Sequence, residues 1–327
     1  MNDPAVSWLM KSADPSVRYL TMTEVLGYRR DSDEVEAVQR SILQGPKVRA
    51  LLSGQLQDGG FGVHPYQKWT GAHWRLVSLA ELAIPKGNPQ AARAANQVLD
   101  WLASTDHKEG IKTIRGLTRR CASQEGNALG ACSYIGLGRD PRVEALASSL
   151  ATWQWPDGGW NCDKKPYAHH SSFNESLATL WGLALYQDVT GDREAARAID
   201  RASEFFLSHH LFRSHRTGEV IKSEFLELHY PLYWHYDILQ ALRVLSLTGK
   251  LGDPRAKEAL DLVESKRRED GLWHSEGSYW RSLMKGPAIG ARTPATGSEV
   301  VDWGRSGASE MITLNALRVL NAAGRLR

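Results

Sequence analysis

Three Leu- and Ala-rich segments carry ionisable side chains near their starts. "FNESLATLWGLAL" holds Glu175, "YWHYDILQALRVLSL" holds His235 and Asp237, and "ASEMITLNALRVLNAAG" holds Glu310. Aligning their Leu and Ala positions puts Glu175, His235 and Glu310 at one level, with Asn127 of "QEGNALGACSYIGLG" beside them and Asp237 half a turn deeper. Carboxylates and an imidazole around a water-poor space can move protons: burial holds one acid protonated while the histidine or another acid takes the proton. Glu175, His235 and Asp237 are therefore the first catalytic candidates. A plainer role is open to the acids, because a helix start favours negative charge. For Glu310 the plainer role weighs more, and it is kept only as a residue that can touch a ligand.

A second group lies in "WQWPDGGWNCDKKPYAHHSSFNE" (153–175), where Cys162, Asp163, His169 and His170 crowd one connection. Thiolate, carboxylate and imidazole together suit zinc. No CxxC or HxxxH spacing supports such a site, and a buried Cys commonly acts as a small hydrophobe, so neither a metal nor another cofactor is expected. Asp163 and His170 remain acid–base candidates on a pocket rim. His73 follows "GFGVHPYQKWTGA" as His170 follows the Trp160 turn, so both should face that rim. The stretch "LFRSHRTGEVIKSEFLELHYPLYW" gathers Arg213, His215, Arg216 and Lys222, cations that suit a carboxylate or phosphate on the ligand. Trp74, Trp160, Tyr233, Trp234, Trp273 and Trp303 fall at the same level, where flat rings can shape an apolar site or stabilise a cation. Trp153 and Trp181 keep helix-core spacing.

Helices must position these groups. A turn followed by Asn or Asp and an Ala/Arg-rich segment recurs at Asp33, Asn88, Asp140, Asp192 and Asp253, at intervals of 55, 52, 52 and 61 residues. Asn or Asp before Pro marks a helix start, with a capping side chain and a proline whose missing N–H costs nothing. A period near 50 points to stacked helix pairs. The segments named first, with "VRYLTMTEVLG" and "AHWRLVSLAELA", are apolar nearly all round, as buried helices are. Six inner helices thus alternate with five outer ones, and "PAVSWLMKS" supplies the sixth. The expected fold is all-α, a single (α/α)6 barrel, or toroid, spanning 1–327 with no domain boundary near residue 150. Long loops fall at about 211–230 and 277–305. Each outer-to-inner link lies at one end, so the polar helix starts and both long loops gather there, the second as a Gly/Pro-rich lid.

Composition narrows the partners. Hydrophobic residues make up 42% and charged residues 24%, as in ordinary globular proteins. A net charge of +3 without a long basic run argues against nucleic acid. No apolar stretch approaches the ~20 residues of a membrane span, and the N-terminal stretch lacks the apolar run of a signal peptide. Three cysteines in no framework pattern fit a reducing cytoplasm. The sequence leaves the oligomeric state open.

Three outer-to-inner links share one turn: "QLQDGGFG" (55–62), "WQWPDGGW" (153–160) and "REDGLW" (268–273). They resemble the Gln-Trp repeat of squalene cyclases and the equivalent turns of protein prenyltransferase β subunits, over nearly the whole chain. "DGGWNCD", "LFRSHRTGEVI" and "PLYWHYDILQALRVL" look like a bacterial squalene-cyclase-like subgroup of undefined activity. The resemblance implies the toroid and a terpene-cyclase-like enzyme with an aromatic-lined central cavity. Its substrate would be a hydrophobic, isoprenoid-like or polycyclic small molecule. The Asp-x-Asp-Asp acid of class II cyclases is absent, and the nearest string, "DSDE" (31–34), precedes an outer helix. Prenyltransferases bind zinc through Asp-x-Cys and a distant His; here Cys162 and Asp163 are adjacent and reversed, and that ligand set does not carry over. The expected chemistry is acid–base: isomerisation, cyclisation or hydration/hydrolysis. Two other classes stay open, a non-catalytic lipid- or terpenoid-binding toroid and a carbohydrate-active α/α-barrel enzyme.

Overall fold

The computed structural model describes residues 3–279, 281–282, 298–304 and 306–326; most of the loop expected as a lid (280, 283–297 and 305) lies outside them. The chain is all-α. Its helices are α1 (Pro4–Met10), α2 (Pro15–Leu20), α3 (Asp33–Ser41), α4 (Pro46–Leu52), α5 (Ala72–Glu81), α6 (Pro89–Ala103) and α7 (Thr105–Glu109). These continue with α8 (Ala122–Cys132), α9 (Pro141–Trp153), α10 (Phe173–Thr190), α11 (Arg193–Ser208), α12 (Ile238–Leu247), α13 (Lys257–Ser265) and α14 (Glu310–Ala322). Strands among the described residues form three two-stranded pairs. No described helix is long and apolar enough to cross a membrane.

The expected caps form with one shift. Asn88, Asp140 and Asp192 accept backbone N–H groups at the starts of α6, α9 and α11, and Asp253 does so for a short turn leading into α13. At α3 the cap is Ser32, without a side-chain bond, and Asp33 is the first helical residue. Asp3-Pro4 and Asp14-Pro15 start α1 and α2 in the same way. Capping is a local interaction, so it reports a helix start and not the layer to which the helix belongs.

The three related turns are built alike. Trp160 donates its indole N–H to Leu150 O at 2.8 Å, and Trp273 donates to Val263 O at 2.7 Å, ten residues back in each case. Their backbone N–H groups bond Ser176 and Thr313 hydroxyls on the following helices. In the first turn Phe61 has no indole; Arg75 stacks over its ring and reaches the equivalent Leu51 O at 3.0 Å. Gln55 ties its turn to Gln90 O in α6, and Gln154 ties its turn to Ala198 O in α11. Arg267 takes that place in the third turn and reaches Asp3, the cap of α1, at 2.6 Å. Gly59 and Gly158 have φ of 87° and 98°, and a Cβ there would stand 2.3 Å from the Arg93 carbonyl in α6 and the Arg201 carbonyl in α11, respectively. Glycine is required at both.

These ties set the packing order. α5 packs on α8, α8 on α10, α10 on α12, α12 on α14, and α14 on α2 with the π-turn that extends it. α3, α6, α9, α11 and α13 lie against them, each with one buried stripe. Leu242 of α12 is fully buried in this core. Leu242→Ala should therefore cost about 2–5 kcal/mol, read as a lower urea midpoint with unchanged helical circular dichroism.

Candidate functional site

The starts of α8 and α10 are forced together. A Cβ on Gly182 would lie 2.1 Å from Gly126 O, so only glycines allow this backbone approach. Glu175, in the first turn of α10, is thereby set beside α8. It is 8% exposed, and its Oε2 accepts the Ser123 N–H at 2.9 Å. Burial pushes the carboxyl up, and the Ser123 N–H offsets part of this. Its Oε1 lies 3.5 Å from Cys162 Sγ. Cys121, the cap residue of α8, completes a cluster with Cys162 and Glu175. The hydrogen bond between the two thiols holds Cys121 down and pushes Cys162 up. Glu125, one turn along, is bound by Arg120 at 2.7 Å and His107 at 2.9 Å.

A second centre forms at the start of α12. Asp237 caps the helix, accepting the Gln240 N–H at 2.8 Å and the His229 N–H at 3.1 Å. Its Oδ2 also lies 3.1 Å from His229 Nδ1, with both side chains buried. Burial pushes the His229 imidazole down, but the hydrogen bond and charge of Asp237 outweigh it and the net shift is up. His235 behaves oppositely: burial, then the nearby His229, hold it well below the ordinary histidine range. The two rings are 6.2 Å apart. His235 is stacked between Trp234 at 4.0 Å and Tyr279 at 3.7 Å. These three rings, with Asn174, Lys222, Glu224, Phe225 and Tyr236, line a cavity of about 370 Å3. Lys68 lies 4.9 Å over Trp234, a cation–π contact.

The other expected residues scatter. Tyr233 stacks on Trp69 at 4.1 Å, and its carbonyl accepts from Asn127 at 3.0 Å. Trp303 packs on Tyr230. Trp74 and Trp160 are buried, with their indole N–H groups donating to the Tyr66 and Leu150 carbonyls. His73 is buried among Tyr66, Trp74 and Trp101. Neither of its ring nitrogens has a partner among the described residues, and burial pushes it down to about 3. Asp163 closes its own turn onto the Lys165 N–H, and His170 is exposed against His169, so neither joins the Glu175 carboxyl. Arg213 is committed to Glu258 and Gly218 O, while Arg216 is exposed. His215 packs on His209, which touches Phe173 at the start of α10. Glu310 accepts from Ser12 at 2.6 Å and Lys47 at 3.0 Å, a tie between α14 and the N-terminal helices.

The middle of the bundle is polar, with a cavity of about 120 Å3 bordered by Glu24, Glu81, Trp181, Arg243 and Arg318. Glu81 pairs with Arg243 and Arg318 with Glu24; the space between Tyr233, Trp181 and the Glu81–Arg243 pair is about 30 Å3. Sequence reasoning passed over His229, although it stands six residues before His235 in one aromatic string. It also missed Glu299, a buried carboxyl that burial pushes up to about 8. Cys121 carried no local signal, because its partners lie 41 and 54 residues away.

No protein-family model matches the chain, and no curated protein matches it. Among solved structures it is similar to two of the type II terpene cyclase MstE from Scytonema, one with geranylgeranyl dihydroxybenzoate and one with merosterolic acid A. Identities are 16% and 15%, each match covers 86% of this chain and 96% of that one, and the TM-scores are 0.27 and 0.28. Superpositions this loose establish neither architecture nor activity.

Proposed function

We propose that the chain is a terpene-cyclase-like enzyme, a single (α/α)6 toroid that works by acid–base chemistry on a hydrophobic, isoprenoid-like or polycyclic small molecule. The packing order of the helices supports the toroid, as does the Arg267–Asp3 tie from the end of α13 to the start of α1. One observation carries the chemistry: two histidines 6.2 Å apart with pKa values pushed in opposite directions, His235 lining the aromatic-walled cavity and His229 buried beside it. Environments that separate two such groups assign an acid and a base. His229, whose proton Asp237 holds more tightly than in a free imidazole, is the proton donor, and its Nε2 has no partner among the described residues. His235, held neutral, accepts a proton from the substrate, and Trp234 and Tyr279 stabilise positive charge that develops between the two steps. The substrate class rests on the repeated turns and on the aromatic rings of the cavity wall, Phe225, Trp234, Tyr236 and Tyr279.

The test is capture of cellular metabolites on the protein, identified by mass spectrometry, followed by turnover assays on what binds. His235→Ala should lower turnover by roughly 10²–10⁴-fold while binding and melting temperature hold. Full turnover in that variant would sink the assignment. A captured terpenoid that is never converted would favour a non-catalytic binding protein, and sugar that quenches tryptophan fluorescence would favour the carbohydrate reading.

A further inference from the structure

Three residues distant in sequence meet at the junction of α8 and α10. Cys121 caps α8, Cys162 follows the Trp160 turn, and Glu175 stands in the first turn of α10. Their two Sγ atoms and a carboxylate oxygen all lie within 4.8 Å of one another, with Cys162 Sγ and Glu175 Oε1 at 3.5 Å. A tetrahedral zinc ion with Zn–S of ~2.3 Å and Zn–O of ~2.1 Å holds such ligand atoms roughly 3.5–3.8 Å apart. Small side-chain adjustments therefore suffice. Both thiols are free, and both cysteines are half-buried, which leaves an approach to their sulfurs.

The cations nearest the cluster are engaged elsewhere: Arg120, beside Cys121, is bonded to Glu125, and Lys68 lies over the Trp69 and Trp234 rings. Among the described residues, the Glu175 carboxylate accepts from the Ser123 N–H and the Cys162 thiol and forms no ion pair. Glu125 is also buried nearby; Arg120 and His107 bind one of its oxygens, while the other has no partner among the described residues. The Ser123 N–H fixes Oε2, which leaves Oε1 turned to Cys162, the kind of outer support that orients a metal ligand.

We propose that Cys121, Cys162 and Glu175 bind one zinc-type divalent ion. Three protein ligands leave the fourth tetrahedral position open, as in catalytic rather than structural zinc sites. Two sulfurs select zinc or cobalt over magnesium and calcium. Binding releases the proton of each thiol, and the open position takes water or a heteroatom of the ligand. Asp163, His169 and His170, the neighbours of Cys162 in sequence, take no part. The site does not depend on the His229–His235 reading, and either can fail alone.

The test uses the full chain, reduced with a phosphine, stripped with chelator and titrated with cobalt(II) alone. One equivalent should bind, giving a near-ultraviolet thiolate-to-cobalt band of two-sulfur strength and intense visible bands of tetrahedral cobalt; zinc should abolish both. Cys121→Ser and Cys162→Ser should each weaken binding by more than the roughly 10–100-fold of an outer-shell change. A His169→Ala/His170→Ala double variant should bind as the wild type does. Glu175→Gln also alters the bond to Ser123, so the half-buried Cys162 carries the test, with circular dichroism confirming the fold. Three results would overturn the site: no charge-transfer band in the reduced protein, undiminished binding in Cys162→Ser, or loss of binding in the histidine variant. An air-formed Cys121–Cys162 disulfide in a protein that binds no cobalt when reduced would likewise replace the metal site with redox chemistry.

Discussion

Replacing His73 by Phe should make the protein markedly more resistant to acid. Relative to wild type, the variant is expected to gain about 3 kcal/mol of stability between pH 7 and about pH 4. His73 is 1% exposed, boxed by aromatic rings, and its folded-state value is pushed from 6.5 down to about 3 by burial and then by His107. The sign follows from proton counting. Between these two values the unfolded chain binds a proton that the folded chain refuses, so stability falls as pH drops below 6.5. Each pH unit costs about 1.4 kcal/mol, and roughly 2.5 units separate the free value from pH 4. Phe keeps the edge-to-face ring contacts and removes two nitrogens that lack partners among the described residues, so no loss is expected at neutral pH. Denaturant titrations of both proteins at the two pH values measure the difference. If it does not change with pH, His73 takes up its proton in the folded state and the box is open to water.

Helix starts and the helix period were legible because they are local. Asn88, Asp140, Asp192 and Asp253 announce themselves by the residue that follows, and the Asp-Gly turns by their need for positive φ. Their equivalence ran deeper than the strings: Arg75 replaces an indole that Phe61 lacks, and nothing near position 61 announces it. The charged interior was less visible. Arg243 and Arg318 occupy the same place in "ALRVL" of α12 and α14, a repeat that ranks as apolar unless the single charge is taken as the inward-facing residue. The sequence pointed to candidates where chemistry and helix start coincide, as at Glu175, His235 and Asp237. They were missed where the partner comes from another segment: Cys121, at the start of α8, meets Cys162 from the loop before α10, where α8 and α10 pack closely through Gly126 and Gly182. Spacing rules for metal ligands assume neighbours in sequence and miss such a set.

The largest loss of stability at a single charge is expected from Asp237→Asn, and it should depend on pH. Asn still caps α12 and can still accept from the Gln240 N–H. It cannot balance an imidazolium. In the wild type, burial alone would depress His229, yet Asp237 raises it above the free value of 6.5. A raised value means that the folded state holds the proton more tightly, so the pair's stabilisation is fully present below 6.5 and fades as pH rises through the folded value. In the variant, desolvation is opposed only by the smaller effects of the Glu227 carbonyl and charge, and the folded protein resists protonating His229. Near pH 6 the variant should therefore be less stable by about 3–5 kcal/mol, the cost of stranding one member of a buried pair. Above the raised wild-type value the gap should narrow, because His229 is then neutral in both proteins. The same change reaches the proposed base: with His229 uncharged, one of the causes that depress His235 is gone, and its titration should move toward the ordinary range. Histidine side-chain NMR through the titration reads both rings at once. A stability gap that stays constant with pH, or a His235 signal indifferent to Asp237, would show that the two rings are electrostatically separate and would remove the acid–base pair.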